Sequence, residues 1–512
     1  MTGRLYGVGV GPGDPRLVTV RAAELIGSAG VIAYHSGTHG SSIARGIVDA
    51  YVQSEVIEEL LAYPVTTGEI TDYYATIGEF YHASAERLAR HLDAGRDVVV
   101  LAEGDPLFYS SYMYLHDRLS DRYQAEIVPG VTSVSAASAA TGRPLVRHED
   151  VLTVLPGTLP PDELARRLRT TDAVAIMKLG RTFPAVRAAL ERAGRLDQAL
   201  YVERASTGAE QVRPVVEVDP DRVPYFSMIM VPGMDRRADA AGRAEQAVRA
   251  ERAVRAERVQ PPAESRPQAA EAELVVAGLG PGPDRWLTAE VRDALDRVDH
   301  VVGYGPYVDR VPERTGLRRH PSGNTVELDR ARDALELALA GERVAVVSGG
   351  DAGVFGMASA VYEAAQDPRY AAVRITVLPG LSAVLAVAAR VGAPLGGDFA
   401  VLSLSDRLKP WSVIETRLRA AAAADLVIAI YNPASRVRTT QVKQAKEILL
   451  EVREPGTPVV IGRDVGRPGE EVLVGTLGDL DPDLVDMRCL LIVGASRTRV
   501  DRGAVWTPRS VG

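Results

Sequence analysis

The sequence predicts an α/β protein made of two tandem units, each of two α/β lobes with a ligand cleft between them. Strand-sized apolar runs alternate with helix-length stretches along the chain, the pattern of βα units on largely parallel sheets. Three glycine turns of the first half recur in the second in the same order. Between the halves, 238–272 is poor in large apolar residues and rich in Ala, Arg, Glu and Pro, a composition that suits a tether.

The first unit, 1–237, divides near 147, and the second, 273–512, near 396, each second lobe beginning after a proline. The first unit opens on an apolar strand ending in Gly9-Val10-Gly11-Pro12-Gly13-Asp14, and the second on one ending in Gly278-Leu279-Gly280-Pro281-Gly282. Thr19 and Thr288 each follow the middle glycine by eight residues. Such a turn lets a ligand approach the backbone and offers it amide donors. No Gly-Lys-Ser/Thr follows, so this is not a P-loop. The proline after the second glycine breaks the dinucleotide fingerprint, which argues against a pair of dinucleotide-dependent oxidoreductase domains. Asp14 is the candidate catalytic residue, a proton acceptor or substrate-orienting carboxylate, with helix capping as its other reading. Pro283 holds its register in the second unit.

The runs VVVLA and VAVVS lead into Glu103-Gly104-Asp105-Pro106-Leu107-Phe108 and Gly349-Gly350-Asp351-Ala352-Gly353-Val354-Phe355. Each Gly-Asp pair joins flexible backbone to an acceptor at a strand's carboxyl end, where ligands of open α/β sheets gather. Pro129-Gly130-Val131-Thr132-Ser133 and Pro379-Gly380-Leu381-Ser382-Ala383 open small-residue helices, which Pro144 and Pro394 close at equal distances. Asp105 lies 94 residues beyond Gly11, but Asp351 only 71 beyond Gly280. The first unit therefore carries an insertion, expected around His35–Tyr81 and over the cleft. His35 and His39 would share a metal only on a helix. Ser36-Gly37 between them favours a loop, and no metal is implied. Tyr73, Tyr74, Phe80, Tyr81, Tyr109 and Tyr112 suit either contact with a macrocycle or core packing.

Arginines cluster near predicted strand ends: Arg143, Arg147 and Arg204 in the first unit, Arg436, Arg438, Arg463 and Arg467 in the second. Together they suit a substrate with several carboxylates, with Arg143, Arg204, Arg436 and Arg463 foremost. A hydrophobic share of 46% with 25% charged residues sets disorder aside, and the net charge of -8 speaks against a nucleic-acid partner. The single cysteine, Cys489, cannot pair within the chain, and no apolar run is long enough for a membrane span. A cytoplasmic protein is expected.

The segments GVGVGPGDPRLVTVRA, EGDPLFYSSY, VPGVTSVSAAS, AIMKLG and YVERAS, within residues 1 to about 235, resemble the precorrin-2 C(20)-methyltransferases. Within 273 to about 506, GLGPG, VVGYGPYV, SGGDAGVFGMA, LPGLSAVLAVAARVGAPLGGDFAVLSLSDRLKPW, YNPASRVR and GRDVGRPGE resemble the precorrin-3B C(17)-methyltransferases. Both belong to the tetrapyrrole methylases, class III. That resemblance implies S-adenosylmethionine folded into a donor cleft between the lobes, S-adenosylhomocysteine as product, precorrins of the cobalamin route as substrates, and a homodimer. It places the donor against Gly104, Asp105, Pro106, Phe108, Thr132, Ser133, Met177 and Pro232. In the second unit the positions are Gly350, Asp351, Val354, Ser382, Ala383, Tyr431 and Gly494. Pro12 and Pro281 join the set from the loop facing the tetrapyrrole. Ala352 and Leu381 depart from the family's usual proline and valine. Methylases acting at other ring positions or on cobalt-precorrins, and a noncatalytic corrinoid-binding scaffold, share the same turns.

Overall fold

A computed structural model describes residues 2–37, 40–64, 73–146, 150–233, 272–323, 326–407, 409–435 and 437–508; His39, Arg147, Arg436 and the tether core 234–271 lie outside these, as do the side chains of Tyr73 and Tyr74. The first lobe is a five-stranded parallel sheet of β1 (Leu5–Gly9), β2 (Val31–Ser36), β3 (Ile57–Ala62), β4 (Val98–Ala102) and β5 (Ala125–Val128), in the order β3-β2-β4-β1-β5. Its central strands are buried along their whole length, as the β-branched run VVVLA requires of a sheet covered on both faces. The second lobe carries β6 (Leu152–Pro156), β7 (Ala173–Met177), β8 (Leu200–Glu203), β9 (Gln211–Pro214) and β10 (Ser227–Val231).

The second half repeats the plan. Its parallel sheet of β11 (Glu273–Gly278), β12 (His300–Tyr304), β13 (Arg318–Ser322), β14 (Val344–Ser348) and β15 (Arg374–Leu378) has the order β13-β12-β14-β11-β15. After β16 (Gly392–Ala393) come β17 (Phe399–Ser403), β18 (Val427–Tyr431), β19 (Pro458–Arg463), β20 (Glu471–Thr476) and β21 (Cys489–Val493). A closing hairpin of β22 (Arg499–Asp501) and β23 (Ala504–Trp506) returns to pair with β16.

The two-lobed plan holds in each half, and the halves are joined. The two second lobes share one ten-stranded sheet, β20-β19-β21-β18-β17-β6-β7-β10-β8-β9. Its seam is the antiparallel pair β6–β17, with Val154 opposite Phe399, Thr153 opposite Ala400 and Leu152 opposite Val401. One apolar core runs through it, holding Phe108, Val134 and Val154 of the first half with Val384, Phe399 and Val401 of the second. The repeated threonines mark a second seam. Thr19 and Thr288 each cap a helix, accepting from the amides of Ala22 and Val291, and they face each other in an isolated antiparallel bridge between the halves.

The insertion falls within and just beyond the expected stretch, but part of it is core and not cover. The helix Tyr73–Asp93 has 21 residues against 13 in its counterpart Glu327–Leu339, and a short helix, Ile43–Ile47, lies between β2 and β3. Tyr81, at 4% exposure, and Tyr112, at 1%, belong to the core. His35 stands on β2 and not in a loop. Among the described residues no helix is long and apolar enough to cross a membrane.

Candidate active site

The carboxyl ends of the parallel strands carry the predicted turns, and both halves build them alike. Gly11 and Gly280 have φ of 76° and 67°, Gly104 and Gly350 of 70° and 71°. The likeness extends to residues for which positive φ is unusual: Tyr109 at 56° and Phe355 at 52°, Lys178 at 57° and Asn432 at 48°, Arg204 at 48° and Asp464 at 45°. Gly104 N donates to Gly11 O at 2.8 Å, and Gly280 N donates to Gly350 O at 3.0 Å. A side chain at Gly9 or Gly278 would stand 2.6 or 2.7 Å from the amide of Gly130 or Gly380, so only glycine lets the first and third turns approach so closely.

The paired aspartates bind these turns together. Asp105, 2% exposed, accepts from the amide of Leu107 at 2.9 Å and that of Gly130 at 3.0 Å. Asp351 accepts from Gly353 at 2.8 Å and Gly380 at 3.1 Å. Both oxygens of each are thus engaged with backbone amides, and the side chains shape the turns from behind. Burial pushes Asp105 up to about 7 and Asp351 up to about 6, against the opposing pull of those amides.

In front of each Gly-Asp turn lies a cradle. A Cβ at Gly104 would just fill the space there, in contact with the carbonyl oxygen of Val131 at 3.9 Å and the amide nitrogen of Ser133 at 4.0 Å. The corresponding place at Gly350 lies 3.9 Å from both Leu381 O and Ala383 N. Each half therefore presents one backbone donor and one backbone acceptor across a glycine-floored gap. Phe108 belongs to the apolar core that runs through the seam, and Met177, Val354 and Tyr431 pack against it. The Tyr431 hydroxyl accepts from the amide of Val384 at 3.0 Å and lies 3.4 Å from Ser382 Oγ. Burial raises its pKa to about 12. Thr132 caps its helix through the amide of Ser135. Pro106 is buried beside Asp105 and Pro12 in the first loop, while Pro281 is half-buried.

The cleft's edges are fixed by contacts from lobe to lobe. Asp14 N donates to Ser206 Oγ at 3.2 Å in the first half, and Arg467 Nε donates to Pro281 O at 2.6 Å in the second. Asp14 itself caps the 3-10 turn Pro15–Leu17 and binds the Arg16 guanidinium at 2.7 Å. Burial pushes its pKa up, but Arg16 outweighs that and holds it below the usual range, which makes it a weak proton acceptor.

Two predicted positions do not join the rest. Pro232 follows β10 and Gly494 follows β21, but these strands run antiparallel to β7 and β18, with Val231 opposite Val174 and Val493 opposite Ile428. They lie at the far end of the sheet from Met177 and Tyr431. The starts of those strands come to the site instead: Phe226 O accepts from Arg204 N at 3.0 Å, and Arg488 O accepts from Asp464 N at 3.2 Å. Spacing along the chain does not show which end of an antiparallel strand meets the turns.

Of the arginines, Arg143 and Arg204 are exposed. Arg463 turns to Leu484 O at 2.7 Å, and the buried Arg438 to Asn432 O at 3.2 Å. A hollow of about 340 Å³ opens beside Arg438, between Ser435 and Met487. A second cavity, at the seam between halves and lined by Phe108, Thr132, Ser382 and Phe399, measures only about 30 Å³, space for a water molecule or two and not for a nucleoside. Among the described residues no cluster of His, Cys, Asp and Glu could hold a metal.

Comparison with known proteins gives this architecture its relatives. The chain matches the family described as Tetrapyrrole (Corrin/Porphyrin) Methylases over residues 4–218 and again over 273–481. It is 54% identical to the cobalamin biosynthesis protein CobIJ of Mycobacterium bovis, over 99% of this chain and 96% of that one. The first half is 49% identical to a precorrin-2 C(20)-methyltransferase of Sinorhizobium sp, over 97% of that protein. The second is 47% identical to a precorrin-3B C(17)-methyltransferase from the same source, over 96% of it. With two matches that together span most of its length, the chain belongs to the tetrapyrrole (corrin/porphyrin) methylases.

Proposed function

We propose that this protein is a bifunctional S-adenosylmethionine-dependent C-methyltransferase of cobalamin biosynthesis. The first half would methylate precorrin-2 at C(20), and the second precorrin-3B at C(17) with ring contraction. The names of the relatives aligned to each half support the two substrates. The observation that carries the reading is the recurrence of one cradle, with the same φ, the same carboxylate strut and the same open backbone pair in both halves. We place the work in the cytoplasm, where the lone buried thiol of Cys489 needs no oxidising partner.

The donor set fits a nucleoside: one backbone N–H, one backbone C=O and flanking apolar side chains. When bound, the sulfonium compound supplies a methyl group already activated for in-line attack by an electron-rich ring carbon. The chain's own task is then alignment and exclusion of water. Gly104 and Gly350 keep the cradles open, and Asp105 and Asp351 hold the turns at fixed spacing. Phe108 and Met177, with Val354 and Tyr431, keep the walls apolar. Arg143 and Arg204 remain available to substrate carboxylates, and Asp14 orients its loop against Ser206. No side chain needs to form a covalent bond.

Incubation with methyl-labelled donor and each tetrapyrrole, followed by mass spectrometry of the pigments, tests this. Each substrate should become heavier by one methyl group, with S-adenosylhomocysteine released. Absence of label in both pigments, or binding of NAD(P) in a titration, would overturn it.

A further inference from the structure

The seam between the halves passes directly behind the first cradle. Asp398 immediately precedes β17, the second-half strand that pairs with β6. Its Oδ1 accepts from the hydroxyl of Tyr109 at 3.1 Å, and its Oδ2 accepts from Arg167 Nη1 at 3.0 Å. Arg167 is held in turn by Glu163 at 2.7 Å. Both partners belong to the first half, so the carboxylate is fixed between two first-half groups although the second half supplies it.

Tyr109 is not an ordinary surface tyrosine. It follows Phe108 on the Gly-Asp turn and has φ of 56°, a left-handed conformation that a bulky residue keeps only where its surroundings impose it. Lys178 Nζ lies 4.6 Å from its ring centroid, and Lys178 adjoins Met177. The neighbouring Phe108 ring meets Phe399 edge-on at 5.5 Å. The bond from Asp398 thus anchors the turn whose residues wall the cradle.

The second half has no equivalent. Its counterpart to Tyr109 is Phe355, at φ of 52°, which has no hydroxyl and packs on Tyr431 at 5.3 Å. The bond from Asp398 therefore serves the first half's turn, while in the second half it is Asp351 that takes a side-chain bond across the seam, from Ser135.

We propose that Asp398 is a positioning residue for methyl transfer in the first half, acting across the seam through the Tyr109 hydroxyl. The inference rests on the functional reading above and adds to it a residue from the opposite half.

The test uses the full chain and measures KM for S-adenosylmethionine and kcat for each half's reaction separately. Asp398→Ala should raise the donor KM of the precorrin-2 reaction about tenfold, a loss comparable to that of one hydrogen bond to a charged group. It should leave the precorrin-3B reaction within about twofold, a margin well under the energy of such a bond. Tyr109→Phe should give the same split, and the double variant should be no worse than Asp398→Ala alone, because that change already removes the Tyr109 bond along with the one to Arg167. Asp398→Asn, which keeps an acceptor oxygen, should recover most of the loss. Equal loss in both reactions, additive effects, or an unchanged donor KM in either single variant would each overturn the proposal. Should Asp398→Ala fail to fold, Tyr109→Phe, which deletes a single oxygen, carries the test. A wild-type chain inactive on both tetrapyrroles would overturn the functional reading and this inference with it. An active wild type with unaltered variants would overturn this inference alone.

Discussion

The Gly-Asp pairs show what a residue's type discloses and what its partner decides. Both were legible in the sequence as acceptors at strand ends, and both lie at the predicted turns. Their role was not legible, because the second amide that Asp105 binds belongs to Gly130, 25 residues on, and spacing along a chain does not say which loops meet. Asp105→Ala would leave the amides of Leu107 and Gly130 buried and unpaired, at about 1–3 kcal/mol each. The expected result is a lower melting temperature together with a donor KM for the first reaction raised about tenfold or more, a factor set by even one lost bond. The second reaction, read in the same preparation, should be unaltered, since Asp351 holds its own turn with its own pair of bonds. Pro232 and Gly494 show the opposite case. They were assigned by position along the chain, and strand direction, which depends on distant pairing, moved them to the wrong end of the sheet.

At the scale of elements, the repeats and the alternation of strands and helices were readable because each rests on local patterning. The extra length of the first half was countable and roughly locatable, but its packing was not legible. In the helix Tyr73–Asp93 the buried residues Tyr81, Ala85, Leu88, Ala89 and Leu92 fall at helical spacing, a pattern that argues for core, not cover. That helix presses aromatic rings onto the end of β2. His35 stacks on Tyr63 at 5.4 Å and meets Phe80 and Tyr81 at 6.1 Å. Its Nε2 is buried without a hydrogen-bond partner, and burial lowers its pKa to about 4. A histidine with a depressed folded-state pKa contributes stability that is present above the unfolded value and lost as pH falls. The window runs from about 6.5 down to about 4, and the full loss is on the order of 3 kcal/mol. As pH falls across that window, the melting temperature of His35→Phe should shift upward relative to that of the wild type. An identical pH profile in the variant would exclude His35 as its source.

At the scale of the molecule, the decisive feature was invisible to local reading: the halves join into one body. The resemblance to tetrapyrrole methylases implies pairing of two like subunits, and within this chain the two like halves pair with each other. The β6–β17 seam, the Thr19–Thr288 bridge and the ion pairs Arg167–Asp398, Arg417–Asp172 and Arg502–Asp121 all link first half to second. Phe108, Val134 and Val154 share one apolar core with Val384, Phe399 and Val401 there. A fragment ending at 237 would present β6 as an open edge beside that apolar surface, a template for pairing with any other edge. The full chain should therefore be a monomer by light scattering. Fragments 1–237 and 273–512 should each self-associate when alone and form a one-to-one complex when mixed, the first recovering its normal donor KM only in that complex, where Asp398 is again present. A fragment 1–237 that stays monomeric with full activity would show that the seam is a convenience of the fusion and not part of either site.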